Sequence, residues 1–208
     1  MFGGNFQTWK LHSAQDYFMF FAYILAGVLV FWLIAKHMNK QRNHEKAVEK
    51  VSGRLKKICG KPGEVLKNAT LNLPEGKMTF DAVLMDKRGV YLVRTYGWGI
   101  KIYGTPDGAM WRREDAKRKE EFENPLLELK KGAAEITKVM EENGVQSLKV
   151  MPMVVFADNF QTPELYLGYG SFSTTYQELK NWYKKQSGVK EVQYDYDKVS
   201  SIIKELAK

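Results

Sequence analysis

The sequence has one cysteine, Cys59, and three histidines, His12, His37 and His44, all in the first quarter of its 208 residues. One thiol excludes an internal disulfide and any multi-cysteine zinc site. The later three quarters cannot build a Ser-His-Asp triad, a histidine-metal nuclease centre or a His/Cys zinc site from their own residues. No GxxxxGK[ST] or GxGxxG stretch occurs, which removes the standard nucleotide cradles. Internal repeats and low-complexity tracts are absent too. With 24 acidic residues available, carboxylate–metal chemistry is the main catalytic option left.

Charge is missing from one long stretch. Between Tyr17 and Ala35 the chain reads YFMFFAYILAGVLVFWLIA, with no ionisable acid or base other than tyrosine. At about 1.5 Å per helical residue this nearly matches a hydrocarbon core of about 30 Å. Tyr17 and Trp32 stand toward the two ends, where amphipathic rings suit the headgroup level. A cleaved signal peptide would want a basic start, a shorter apolar core and small residues at a cleavage site. Here Lys10 faces Asp16, the run is long, and Lys36-His37-Met38 follows. The stretch reads as a permanent anchor.

Residues 36–57 hold eight basic side chains against Glu45 and Glu49, so most of the net charge of +8 sits in this neck. The positive-inside rule places that side in the cytoplasm and the N-terminus outside. One unpaired thiol agrees with a reducing compartment. The expected organisation is an extracytoplasmic tail (1–16), a transmembrane helix (17–36), a basic juxtamembrane helix (37–58) and a cytoplasmic α/β domain (59–208), with helix 44–58 packing as the first helix of that domain. The lipid bilayer is the first expected partner. Anionic lipid heads, attracted at roughly 1 kcal/mol per basic residue, are a second, with DNA or RNA a further candidate. The charge of the domain beyond the neck is too small to argue for nucleic acid.

In the soluble part, Ala47, Val48, Val51, Leu55 and Ile58 recur at helical steps. Gly60-Lys61-Pro62-Gly63 ends that helix, and Glu64–Leu73 reads as a strand stopping at Pro74. Thr79–Met85 and Val90–Tyr96 are two strands joined by Asp86-Lys87-Arg88-Gly89, a good hairpin turn. Ile100–Gly104 is a candidate fourth strand, and 105–123 reads as a polar excursion around Trp111. Asn124-Pro125 opens a helix running to Glu142, with Leu126, Leu129, Ala133, Ile136 and Met140 on one face. Leu148–Phe156 is the near-continuous apolar run of a central buried strand. Helices near Tyr176–Lys185 and Asp197–Ala207 close an α/β layer design. Trp98 and Trp111 read as packing residues rather than base-stacking platforms.

The order TFDAVLMDKRGVYLV, IKIYG, Trp111, ENPLL (123–127) and VVF (154–156) resembles the nuclease-related domain (NERD) family over about residues 44–160. That family resembles the PD-(D/E)xK nucleases, so the resemblance implies a restriction-endonuclease-like mixed sheet with flanking helices. It also suits a membrane anchor, common in bacterial members. The superfamily's chemistry needs an aspartate and a glutamate to hold Mg²⁺, a hard cation that wants oxygen ligands. It also needs a lysine two residues beyond the glutamate to position or activate water. Asp81 matches the aspartate. Where Glu-x-Lys is expected the chain reads Arg94-Thr95-Tyr96.

Arginine is cationic and cannot ligate a metal; tyrosine, with an ordinary pKa near 10, is a poor substitute for the lysine. Thr79 stands where a polar or acidic residue usually precedes the aspartate. Glu128 replaces the glutamine expected after Asn-Pro, and the histidine expected further along that helix is missing. Glu45 corresponds loosely to an early-helix glutamate, preceded by His44 rather than glycine. If Asp86–Gly89 is the connection, Met85 pairs with Val90, and four pairs back Asp81 stands opposite Arg94 on one face. The register therefore predicts a cross-strand Asp81–Arg94 ion pair in the place of a metal.

The leading expectation is a membrane-anchored NERD-like module, a pseudoenzyme without nuclease catalysis that binds a partner at the cytoplasmic face and needs no cofactor. The alternatives are a Mg²⁺-dependent nuclease with relocated carboxylates drawn from Glu45, Glu64 and Asp86, with Asp81 as metal ligand, and a protein-interaction scaffold with no nucleic-acid role.

Overall fold

The computed structural model describes residues 14–41, 43–115, 118–158, 161–186 and 194–208, with the side chains of 37–41 and of 186 outside the description. Most of the expected tail, residues 1–13, and Arg42 of the basic neck lie outside the described residues. The chain divides into two units, residues 1–40 and 41–208.

In the first unit, helix α1 (Ala14–Gln41) carries large apolar side chains exposed all the way from Tyr17 to Ile34. Its segment Ala14–Lys36, 23 residues, is long and apolar enough to cross a membrane. At 1.5 Å per residue it would span about 35 Å. The Lys36 ammonium lies 4.7 Å from the Trp32 ring centre.

The second unit begins with α2 (His44–Cys59), capped where the Asn43 Oδ1 accepts the Glu45 N–H at 2.9 Å. Such a cap answers one of the donors that a helix start leaves without a partner. Ala47, Val48, Val51 and Leu55 are buried, the stripe expected from their spacing. Gly60, at φ +64, ends the helix.

Three antiparallel strands follow: β1 (Glu64–Leu73), β2 (Gly76–Asp86) and β3 (Gly89–Tyr96). Met85 pairs with Val90 as the turn requires. Gly89 sits at φ +143, where a Cβ would lie 2.2 Å from the Lys149 carbonyl oxygen, so only glycine fits this corner. The strand expected at Ile100–Gly104 forms as β4 (Lys101–Gly104), but in a second sheet.

The expected polar excursion is instead a hairpin, β5 (Met110–Glu114) and β6 (Lys119–Glu123). Its charged residues concealed it: Arg113–Glu120 and Lys119–Glu114 pairs run between the two strands. Only Trp111 and Phe122 mark the inner face. Trp111 is 1% exposed and donates from Nε1 to the Thr105 carbonyl at 2.9 Å.

Helix α3 (Pro125–Glu142) spans the expected residues, and all five of its expected apolar positions are buried. Strand β7 (Val150–Phe156) lies parallel to β3 and is followed by β8 (Glu164–Leu167), parallel to β4, and β9 (Ser173–Thr175), parallel to β7. Neither β8 nor β9 is expected from the sequence. Helix α4 (Leu179–Gln186) starts three residues later than expected, and α5 (Tyr196–Leu206) ends the described chain.

The main sheet runs β1-β2-β3-β7-β9 and the second β6-β5-β4-β8. The main sheet is covered on both faces. Ala82, Leu84, Tyr91, Val93, Met153 and Val155 pack with α2 and α4. Val83, Met85, Val90, Leu92, Val154 and Phe156 pack with α3, α5 and the second sheet.

One irregularity matters for the site. Along β2, Met78 and Phe80 share the α3 side with Val83 and Met85, while Ala82 and Leu84 face α2. Strict alternation cannot give that pattern, so the strand changes phase between Phe80 and Ala82. The β1–β2 pairing skips the same level, where Asn68 stands at φ +50. Asp81 sits at the break.

Candidate active site built on Asp81 and Arg94

Asp81 is 5% exposed although ionisable. Taking a carboxylate out of water is costly unless hydrogen bonds and cations replace the lost hydration. Its three described partners come from two elements, β3 and α2. The Thr95 backbone N–H on β3 donates to Oδ2 at 2.6 Å. The Arg94 guanidinium, also on β3, reaches Oδ1 at 3.5 Å, and the His44 Nε2 on α2 lies 3.3 Å from the same oxygen.

Arg94 is held as firmly as Asp81. Its NH2 group donates to the Glu128 carboxylate at 2.7 Å and to the Thr79 carbonyl at 3.1 Å. Glu128 occupies the first turn of α3, where the helix dipole favours a negative charge. That helix start is itself fixed. Asn124, 3% exposed, accepts the Leu126 N–H on Oδ1 and donates from Nδ2 to the Gly108 and Pro106 carbonyls at 2.7 and 3.2 Å. The Asn-Pro pair thus caps α3 and ties it to the loop before β5. The first residues of α2 and α3 converge on the level where β2 changes phase.

The expected Asp81–Arg94 pair is present, and Tyr96 shows why the third motif position cannot act as the missing lysine. Its ring stacks on Phe156 at 5.5 Å and touches Trp98 and Phe122 at 4.8 and 5.4 Å. Burial, with the Asp81, Glu128 and Glu123 charges adding to it against the opposing Arg94, pushes the phenol up to about 12. Tyr96 is a neutral packing residue. Trp98 and Trp111 are packing residues too: Trp98 lies edge-on to Phe122 at 5.1 Å, with the Arg113 guanidinium 4.3 Å from its ring centre.

The donor set does not fit Mg²⁺. That ion demands close to octahedral oxygen coordination at about 2.0–2.1 Å. Here one carboxylate oxygen faces an arginine and a histidine, and a second carboxylate, Glu128, is engaged by the same arginine. Among the described residues no group of three or more His, Cys, Asp or Glu side chains could hold a metal.

Of the three carboxylates considered as relocated catalysts, Glu64 and Asp86 stand at neighbouring register positions and Glu45 stands apart on α2. Glu45 follows His44 at the Asp81 level. Glu64 pairs opposite Met85 and is taken by Lys204 at 2.7 Å. Asp86 stands five residues beyond Asp81 on β2, about 16 Å away along a strand. Both oxygens of Asp86 accept bonds, Oδ1 from the Arg88 N–H at 2.9 Å and Oδ2 from the Tyr183 hydroxyl. Burial and that bond raise the Tyr183 phenol well above its ordinary value. Asp86 locks the β2–β3 turn. The sequence offered one signal for His44 as a site residue, its place directly after a helix cap; its reach to Asp81 depends on how α2 crosses the sheet.

A two-sided mixed sheet with a buried aspartate at the convergence of two helix starts defines the class: a mixed α/β domain. The nuclease-related domain (NERD) family profile matches residues 40–157, more than half the chain. The chain belongs to the NERD family. It is also 32% identical over 112 residues to an uncharacterized protein of Bacillus anthracis, a match covering 52% of each chain. The chain thus spans about half the length of that curated relative. No solved structure matches.

The lattice predicts an asymmetry in stability. In urea unfolding of the detergent-solubilised chain, Arg94→Met should cost about 3–5 kcal/mol, because it leaves a buried carboxylate without its arginine. Glu128→Gln, at a half-exposed position, should cost under about 1 kcal/mol. Adding Asp81→Asn to Arg94→Met should recover about 1 kcal/mol or more. Equal costs for Arg94→Met and Glu128→Gln would show that Arg94 does not serve Asp81.

Proposed function

We propose that this chain is a membrane-anchored NERD module that binds a partner at the cytoplasmic face and does not hydrolyse nucleic acid. The observation that carries this reading is the Arg94 guanidinium shared between Asp81 and Glu128. A fixed cation there neutralises the carboxylate that a nuclease would use to recruit its metal. Phosphodiester cleavage by metal assistance needs the ion to polarise the phosphoryl oxygen and lower the pKa of the attacking water. Arginine can do the first in part and the second not at all. The element order helix, three strands, helix, strand (α2, β1–β3, α3, β7) supports a PD-(D/E)xK-like core, with the second sheet inserted between β3 and α3 and completed by β8.

The anchor rests on Ala14–Lys36 and on the basic residues that follow it, which favour the N-terminus outside and the domain in the cytoplasm. In bacterial cells, a membrane-impermeant maleimide should label Gln7→Cys on a Cys59→Ser background in intact cells, and label Lys208→Cys only after lysis. The reverse pattern would overturn the orientation.

Catalysis is tested by incubating the purified full chain with DNA and RNA in Mg²⁺ and in Mn²⁺. The expected result is no cleavage above that of the Asp81→Ala variant. Metal-dependent cleavage that Asp81→Ala abolishes would refute the reading.

A further inference from the structure

A groove of about 450 Å³ lies beside α2, lined among others by Lys50, Gly53, Arg54 and Lys57 of α2, by Tyr176, and by Lys180 of α4. Four of these are cations, and Glu49 is the one acid on the wall. Lys180 comes from α4, well over a hundred residues from the α2 members, so the cluster is a product of folding and not only of the basic neck. Gly53 leaves the floor open, with nothing within 4 Å of where a Cβ would stand.

Arg54 is held in place for recognition. Its guanidinium lies 4.6 Å from the Tyr176 ring centre, and its NH2 group donates to the Gln177 carbonyl at 3.3 Å. Stacking and one anchoring bond fix the plane of the fork and leave further N–H donors for an anion, the geometry in which arginine outperforms lysine on phosphate. The remaining lysines supply point charges around it.

We infer that this groove is a binding site for the headgroup of an anionic phospholipid, an inference that rests on the membrane reading of α1. Only two residues, Arg42 and Asn43, separate the end of α1 from the start of α2. A bilayer holding α1 is therefore the polyanion presented to α2 at the highest effective concentration. A phosphate with a small polar headgroup matches both the charge and the size of the groove. Free nucleic acid carries the same phosphate chemistry but lacks that tether.

The test uses the full chain reconstituted into phosphatidylcholine nanodiscs with increasing phosphatidylglycerol, read by amide hydrogen exchange. Phosphatidylglycerol should slow exchange in residues 49–58 and 176–180. For Lys57→Gln/Lys180→Gln the fraction of phosphatidylglycerol giving half-maximal protection should rise roughly tenfold or more, from the loss of two surface charges. The control Lys77→Gln/Lys138→Gln loses the same charge outside the groove and should behave as the parent. Arg54→Lys keeps the charge without the planar fork and should weaken protection while leaving the fold intact.

Protection independent of phosphatidylglycerol, or equal effects of the groove and control pairs, would overturn the site. So would protection of the same residues in phosphatidylcholine discs by a short oligonucleotide, in preference to phosphatidylglycerol. A chain that stays outside the discs after detergent removal would overturn the membrane reading itself. A chain that enters them without groove protection would overturn only the headgroup site.

Discussion

A carboxylate buried at a break in a β-strand has to be neutralised or hydrated, and in this domain Asp81 is neutralised. Removing one partner of a buried pair typically costs about 3–5 kcal/mol, enough to decide how three elements meet. The Arg94 guanidinium answers the charge from β3, His44 approaches from the first residue of α2, and Thr95 donates its backbone N–H. Glu128 then draws the start of α3 to the same arginine. The convergence of two helix starts on one level of the sheet follows from satisfying this one acid and the cation that serves it.

On the proposed reading, this position corresponds to one that a metal-dependent nuclease holds negative so that a divalent ion can be recruited. Here the protein carries the positive charge covalently. A metal can be exchanged, can bind substrate and can activate water; an arginine wedged between two carboxylates can only hold them together. The fold keeps the site's architecture, including the Asn124-Pro125 cap that pins α3 to the β4–β5 loop. On the proposed reading, the Arg94 guanidinium gives this position a structural role. Tyr96, packed among Phe156, Trp98 and Phe122, extends the core.

Much of this was legible in the residues themselves. The Asp86–Gly89 turn set the register, which runs back to Ala82↔Val93, and the Asp81–Arg94 ion pair lies one step beyond it. Glu64–Leu73 and Pro125–Glu142 were readable because a proline or a cap marks an end and the apolar period is unbroken. Hairpin β5–β6 was hidden because its strands are stitched by ion pairs and show only Trp111 and Phe122 to the core. Strands β8 and β9 are four and three residues long, and neither was expected from the sequence. The phase change at Asp81 and the arrival of His44 are tertiary facts, since both depend on how α2 and β1 cross the sheet. The clustering of Lys180 with Arg54 was equally out of reach, because it depends on α4 folding back beside α2.

The claim that Arg94 stands in place of a metal is tested most directly by Mn²⁺ binding to the purified full chain, followed by electron paramagnetic resonance and compared with Asp81→Ala. The account predicts that the two proteins leave the same fraction of Mn²⁺ free, because Asp81 is already paired. A bound ion present in the parent and absent from Asp81→Ala would contradict it.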